Sequence, residues 1–268
     1  MNRFERYRAT LAGEPTDFLP RVPILMQFAA DYIGSNYGAF ASDHRVLVEA
    51  NARCMEEFDF EQVSCISDPY RETQGFGAEI EYLSDAVPRC AGPPLAWAKD
   101  LSLLSFPDPL TSERMLDRVQ AACEFKRRFG GTCSILGWVE GPGAEAADLR
   151  DVMNFLIDTM EDVPFCCELM DRCVEVGIAF AKAQIEAGAD TVGIGDAIAS
   201  QVTPDFYGSY IQPREKKMVR AIQAMGAWAK LHICGDISRI LPEVADLGVD
   251  ILDVDHMVDL GEVRKTVG

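Results

Sequence analysis

The 268 residues are 48% apolar and 25% charged, an ordinary globular balance with material for a large core, neither disordered nor fibrous. Forty-three acidic against 25 basic residues give a formal charge of -18, which sets aside polyanionic partners such as nucleic acid and an anionic membrane surface. No stretch approaches the ~18 consecutive apolar residues of a membrane span, the opening "MNRFERYRAT" lacks an apolar signal core, and nine cysteines fall without regular spacing; a cytoplasmic chain with reduced, packed thiols is expected.

Short β-rich runs alternate with helical patterns throughout, which predicts parallel strands joined by helical crossovers. In chain order the strands are "RVPILMQF" (21–28), "EQVSCISD" (61–68), "TCSILGWVE" (132–140), "DTVGIGD" (190–196), "AKLHIC" (229–234) and "VDILDVDH" (249–256). Between them the apolar spacing predicts helices over 43–58, 111–129, 148–187, 204–225 and 237–247, with Gly188 and Gly248 placed as C-terminal caps. Residues 72–100 break the rhythm and are expected to form a β-hairpin excursion after the second strand. No repeat or linker divides the chain, so residues 1–268 are taken as one domain. Six strands are visible where a closed (β/α)8 barrel of the TIM type needs eight. The expectation is therefore a barrel truncated after about six strand-helix units, with a segment or partner supplying the missing edge.

In such a barrel the acting side chains come from the C-terminal ends of the strands. Those ends carry Gln27, Asp68, Glu140, Asp196, the pair His232 and Cys234, and then Asp253, Asp255 and His256. His232 and Cys234 are one residue apart, so on a strand they share a face and can offer imidazole nitrogen and thiolate sulfur to one zinc ion; the competing reading is a hydrogen-bonded histidine beside a buried cysteine. Glu140 and Asp196 are candidates to complete a ligand set or to orient His232, and both also suit capping of the following helix. His256 is a candidate ligand, base or loop residue. Gln27 and Asp68 are the candidate cofactor-contacting positions, although Asp68 before Pro69 also suits a turn. Cys166, Cys167 and Cys173 share a helical pattern and are expected to pack as core thiols.

"HICGD" followed by "ISRILPEVADLGVDILDVDH", together with "GWVEGP" (137–142), "LIDTMEDVPF" (156–165) and "QIEAGADTVGIGDAIAS" (184–200), resembles the uroporphyrinogen decarboxylase superfamily, in particular its methylcobamide:coenzyme M methyltransferase branch. The resemblance covers the chain from about residue 3 to residue 268 and implies that His232 and Cys234 bind zinc. It also implies a further zinc-binding cysteine beyond this stretch, for which Cys65 is the best internal substitute. The decarboxylase branch has an arginine-rich M-R-Q-A-G-R segment where this chain has "LMQFAAD" (25–31), with Gln27 and Asp31 in the arginine positions. An octacarboxylate tetrapyrrole would find little countercharge there. What the resemblance implies is a zinc-dependent methyltransferase that moves a methyl group between a corrinoid protein and a small-molecule thiol or methylated substrate, with a homo-oligomer open. The competing expectations are a metal-independent decarboxylase of a smaller acid and a non-catalytic corrinoid-binding or partner-binding barrel.

Overall fold

Alternation along each strand decides which side chains meet the helices and which line the interior. In β-strands successive side chains point to opposite faces. In the computed structural model, which describes residues 1–268, the chain opens with helix α1 (Arg3–Leu11), α2 (Gln27–Tyr32), α3 (Tyr37–Ser42) and α4 (His44–Phe58). Then come β1 (Gln62–Ser64), α5 (Arg71–Gly75), β2 (Glu79–Glu81), β3 (Arg89–Gly92), α6 (Glu113–Phe129) and β4 (Ser134–Glu140). Three helices follow, α7 (Pro142–Arg150), α8 (Val152–Glu161) and α9 (Val163–Ala187), before β5 (Thr191–Gly195). A single helical rod is built from α10 (Pro204–Phe206), a π-helical turn over Tyr207–Ile211 and α11 (Gln212–Ala224). The last elements are β6 (Trp228–Ile233), α12 (Leu241–Ala245), β7 (Ile251–Val254) and α13 (Leu260–Val267).

Five strands form one parallel sheet in the order β1-β4-β5-β6-β7, and β2 pairs antiparallel with β3 in a small separate sheet. Five of the six expected strands are present, four of them shorter than expected and the fifth, β6, shifted by one residue. The first is absent: residues 21–26 run without helix or strand, and Gln27 starts α2 instead of ending a strand. Pro23 offers no N–H to a ladder, and Met26, at φ 46, turns the chain into the helix. The link to the sheet is the Glu61 amide donating to the Arg21 carbonyl at 3.0 Å. The helix expected over 148–187 is three helices, broken at Asp151 and Asp162. Asp151 takes φ 73 and its carboxylate accepts from the Met153 and Asn154 amides, while that of Asp162 accepts from Phe165, so each aspartate caps a new start. The stretch over 72–100 begins inside α5 before the chain pairs β2 and β3.

Val139, Val192, Ile194, Ala229, Leu231 and Ile233 belong to the larger apolar core with side chains of α9 and α11. The alternate positions face the concave side. At its N-terminal end α1 plugs the sheet: the Tyr7 hydroxyl lies 2.9 Å from Thr191 Oγ1, and Gln62 donates to it at 3.2 Å. The C-terminal ends stay open.

Trp138 lies flat across β5, and two glycines allow it. A Cβ on Gly193 would stand 2.4 Å from Trp138 Cε3, and one on Gly195 3.0 Å from Trp138 Cζ2. Gly193→Ala is therefore expected to displace the indole and lower the unfolding free energy by about 1–3 kcal/mol, read from the denaturant midpoint with Trp138 fluorescence as a local reporter; an unchanged midpoint and spectrum would contradict this packing.

Candidate metal and proton-transfer site

Register across the parallel sheet places four positions in one row at its C-terminal ends. Glu140 pairs with Gly195, Gly195 with His232, and His232 with Asp253. Paired positions in a parallel sheet point the same way, so Glu140, His232 and Asp253 share the concave face, with side-chain-free Gly195 between the first two.

His232 is held at both ring nitrogens. Nδ1 lies 3.2 Å from Asp253 Oδ2, and Nε2 lies 3.1 Å from Cys234 Sγ. The Trp138 indole meets the ring edge-on at 5.8 Å between centroids. The hydrogen bond to Asp253, reinforced by that to Cys234, raises the imidazole to about 9. The same contact with His232 lowers the Cys234 thiol. Burial alone would raise Asp253, but His232 and Lys230 outweigh it and keep this carboxyl ionised to lower pH. Behind Cys234 the chain turns at Gly235, φ 92, whose amide donates to Asp255 at 2.9 Å.

Glu140 is nearly closed off from water. Its Oε1 accepts from Arg71 Nη2 at 2.7 Å and from Trp138 Nε1 at 3.1 Å, while Oε2 lies 3.1 Å from where a Gly195 Cβ would stand. Burial lifts its pKa well above the ordinary carboxyl range, against the opposing effect of Arg71. Arg71 is wholly buried and also approaches Glu72, at 3.6 Å, and the Asp68 carbonyl. Glu72, Glu145 and Asp148 crowd the same region, and burial raises all three, Asp148 to about 8.

The other candidates have different surroundings. Asp196 is fully buried, and its carboxylate accepts from the Gly143 and Ala144 amides at 3.1 and 2.7 Å. Its carboxylate holds the start of α7 beside the Glu215 carboxyl, while its own amide donates to the His232 carbonyl at 3.0 Å. Asp68 is a structural anchor, ion-paired with Arg114 at 2.5 Å and accepting from Ser67 at 2.6 Å and from the Tyr70 amide. Gln27, displaced onto α2, joins none of these contacts. His256 points to solvent, 92% exposed, against Asp255 at 2.8 Å. Cys65 is buried in the smaller apolar core, where burial pushes its thiol up to about 12. Outside the concave face, Asp43, His44 and Asp117 bring ligand atoms within 4.8 Å of one another. Those carboxylates are already engaged, Asp43 by Arg45 and Asp117 by Arg118 and His44. Sequence reasoning missed Arg71 and Lys230; the period-2 spacing of Lys230 from His232 was the one available signal.

His232 and Cys234 thus bring one imidazole and one thiol together, with a carboxylate behind the ring. Comparison with known proteins agrees with the class of fold carrying it. The family model described as "Uroporphyrinogen decarboxylase (URO-D)" matches residues 2–268, and the chain belongs to that family. Within it the chain is 26% identical, over 98% of its length and 78% of the relative's, to a protein named methylcobamide:CoM methyltransferase MtaA of Methanosarcina barkeri. It is 28% identical, over 96% of its length and 77% of the relative's, to methylcobamide:CoM methyltransferase MtbA of Methanosarcina mazei. A solved methyltransferase structure from Methanosarcina mazei superposes with a TM-score of 0.89 at 24% identity, covering all of this chain and 80% of the other. That likeness establishes an α/β fold whose five-stranded parallel sheet curls as part of a TIM-type barrel.

The buried acids set a pH dependence. Asp196 is raised to about 7 by burial and Glu215 well above its ordinary value by burial and by Asp196. A carboxyl whose pKa is raised by folding binds its proton more tightly in the folded than in the unfolded state, so its contribution is complete below the unfolded value and is lost as pH rises through the folded one. The thermal midpoint is expected to fall from about pH 4 through about pH 7, the raised value of Asp196, and Glu215→Gln to flatten that slope; a midpoint rising over this range would refute the assignment.

Proposed function

We propose that this chain is a corrinoid-linked methyltransferase in which His232 and Cys234 hold a zinc ion at the mouth of the barrel. The observation that carries the reading is the 3.1 Å approach of His232 Nε2 to Cys234 Sγ at the open end of β6, with Asp253 fixing the opposite ring nitrogen. The family membership and the names of the methylcobamide:CoM methyltransferase relatives support the reaction class. A zinc ion held there would supply the polarisation that keeps a substrate thiol as thiolate at neutral pH.

The protein's own groups then have separate tasks. Asp253 accepts from Nδ1–H and so turns Nε2 toward Cys234, the nitrogen that would bind a metal once its proton is displaced. Arg71 and Trp138 both hold Glu140 Oε1, leaving Oε2 toward the gap above Gly195. Burial favours the protonated form of Glu140, so it is suited to donate that proton from Oε2 to a leaving group and to take one back in the reverse direction. Trp138 floors that gap and excludes water from beneath it. The partners are a corrinoid protein docking over the mouth and a small methyl donor or acceptor.

Titration of metal-free protein with Zn2+ against a chromophoric chelator is expected to show one site, lost in His232→Ala and in Cys234→Ser. Methyl transfer from methylcobalamin to a small thiol, followed through the corrinoid absorbance, is expected to vanish in the same variants and to slow by roughly a hundredfold in Glu140→Gln. Saturable zinc binding that survives both ligand substitutions would overturn the placement, and transfer that survives them would overturn the mechanism.

A further inference from the structure

Arg71 and Lys230 are buried cations on the concave side of the sheet, and each is ion-paired to a carboxylate there. Arg71 belongs to Glu140. The second is Lys230 on β6, whose side chain is only 2% exposed and whose Nζ lies 2.9 Å from Asp253 Oδ2. Below it, toward α1, is a largely apolar cavity of about 260 Å³ lined in part by Tyr7, Leu19, Val22 and Ile251. An ammonium in such surroundings must have a counter-charge, because its hydration has been given up.

The carboxylate that Lys230 uses is the one that orients His232. Asp253 Oδ2 stands 2.9 Å from Lys230 Nζ and 3.2 Å from His232 Nδ1. Lys230 pairs in register with Ile251 and His232 with Asp253, so the lysine reaches two residues along the neighbouring strand to meet this oxygen. Asp253 is itself 27% exposed, and without the lysine its carboxylate is free to rotate toward water.

We infer that Lys230 is a positioning residue for the His232–Cys234 pair: by pinning Asp253 it fixes the imidazole with Nε2 turned to Cys234 Sγ. The inference rests on the zinc reading for its ligand but not for its geometry. Lys230→Met preserves length and apolar bulk while removing the charge, and Lys230→Gln retains a donor without charge.

Each variant of the full chain is compared with wild type and Cys234→Ser in two measurements. One is Zn2+ affinity by chelator competition; the other is the ¹⁵N–¹H spectrum of the histidine rings in metal-free protein. Wild type is expected to show a His232 Nδ1–H signal sheltered from solvent exchange by Asp253. Lys230→Met should lose that signal and bind zinc about 10–100-fold more weakly, with Lys230→Gln intermediate and the thermal midpoint of both close to wild type. Retention of the sheltered signal and full affinity in both lysine variants would overturn the inference. Wild type failing to bind zinc, while Lys230→Met still loses the ring signal, would overturn the zinc reading and leave the positioning role standing.

Discussion

Everything at the barrel mouth depends on the parallel register that aligns Glu140, Gly195, His232 and Asp253 in one row. A shift of a single residue between β6 and β7 would send Asp253 to the helix-packed face and strip His232 of its acceptor. The register is enforced by burial on the convex side, where Val139, Ile194, Leu231 and Ile233 pack against the helices. The geometry of the polar row is thus paid for by apolar contacts on the opposite face.

Charge inside the sheet follows a different logic from charge outside it. The chain carries -18 overall, yet its concave face places one cation beside each working carboxylate, Arg71 with Glu140 and Lys230 with Asp253. The two pairings have opposite outcomes because the surroundings differ. Asp253 is partly exposed and meets two cationic partners, so its charged form is favoured. Glu140 is buried among Glu72, Glu145 and Asp148 with Arg71 shared among them, so desolvation and like charges favour its protonated form. On the proposed reading one strand end would orient a ligand and the other hold a proton.

How much of this was legible depends on whether the signal was local. The strands β1 and β4 to β7 stood out because each is a short apolar run closed by polar residues, and the His232–Cys234 spacing needed only one strand's alternation. Residues 21–28 misled because their apolar content suggested a strand, whereas Pro23 and the turn at Met26 decide against one. The single helix expected over 148–187 joined parts of three because apolar periodicity runs through Asp151 and Asp162, whose capping role appears only in the backbone. Asp196 illustrates the converse: a polar residue at a strand end looks like a functional group, and here its carboxylate is spent on the amides of α7. The pairing of Lys230 with Asp253 has no local sign at all, since it joins residues 23 positions apart through interstrand register.

The same contrast bears on the choice between methyl transfer and decarboxylation within one family. Fold cannot make that choice, because a barrel of this kind presents whatever its strand ends carry. The segment that the resemblance aligns with the arginine-rich one of the decarboxylase branch has Gln27 and Asp31, and it opens a helix, α2, instead of closing a strand. A soft donor pair with an oriented imidazole is, by contrast, costly to assemble for a reaction that needs no metal. It requires an exposed thiol beside a ring fixed by a partly buried carboxylate, which in turn needs a buried ammonium. Each of those placements is unfavourable alone, and on the proposed reading the two donors would serve one metal ion.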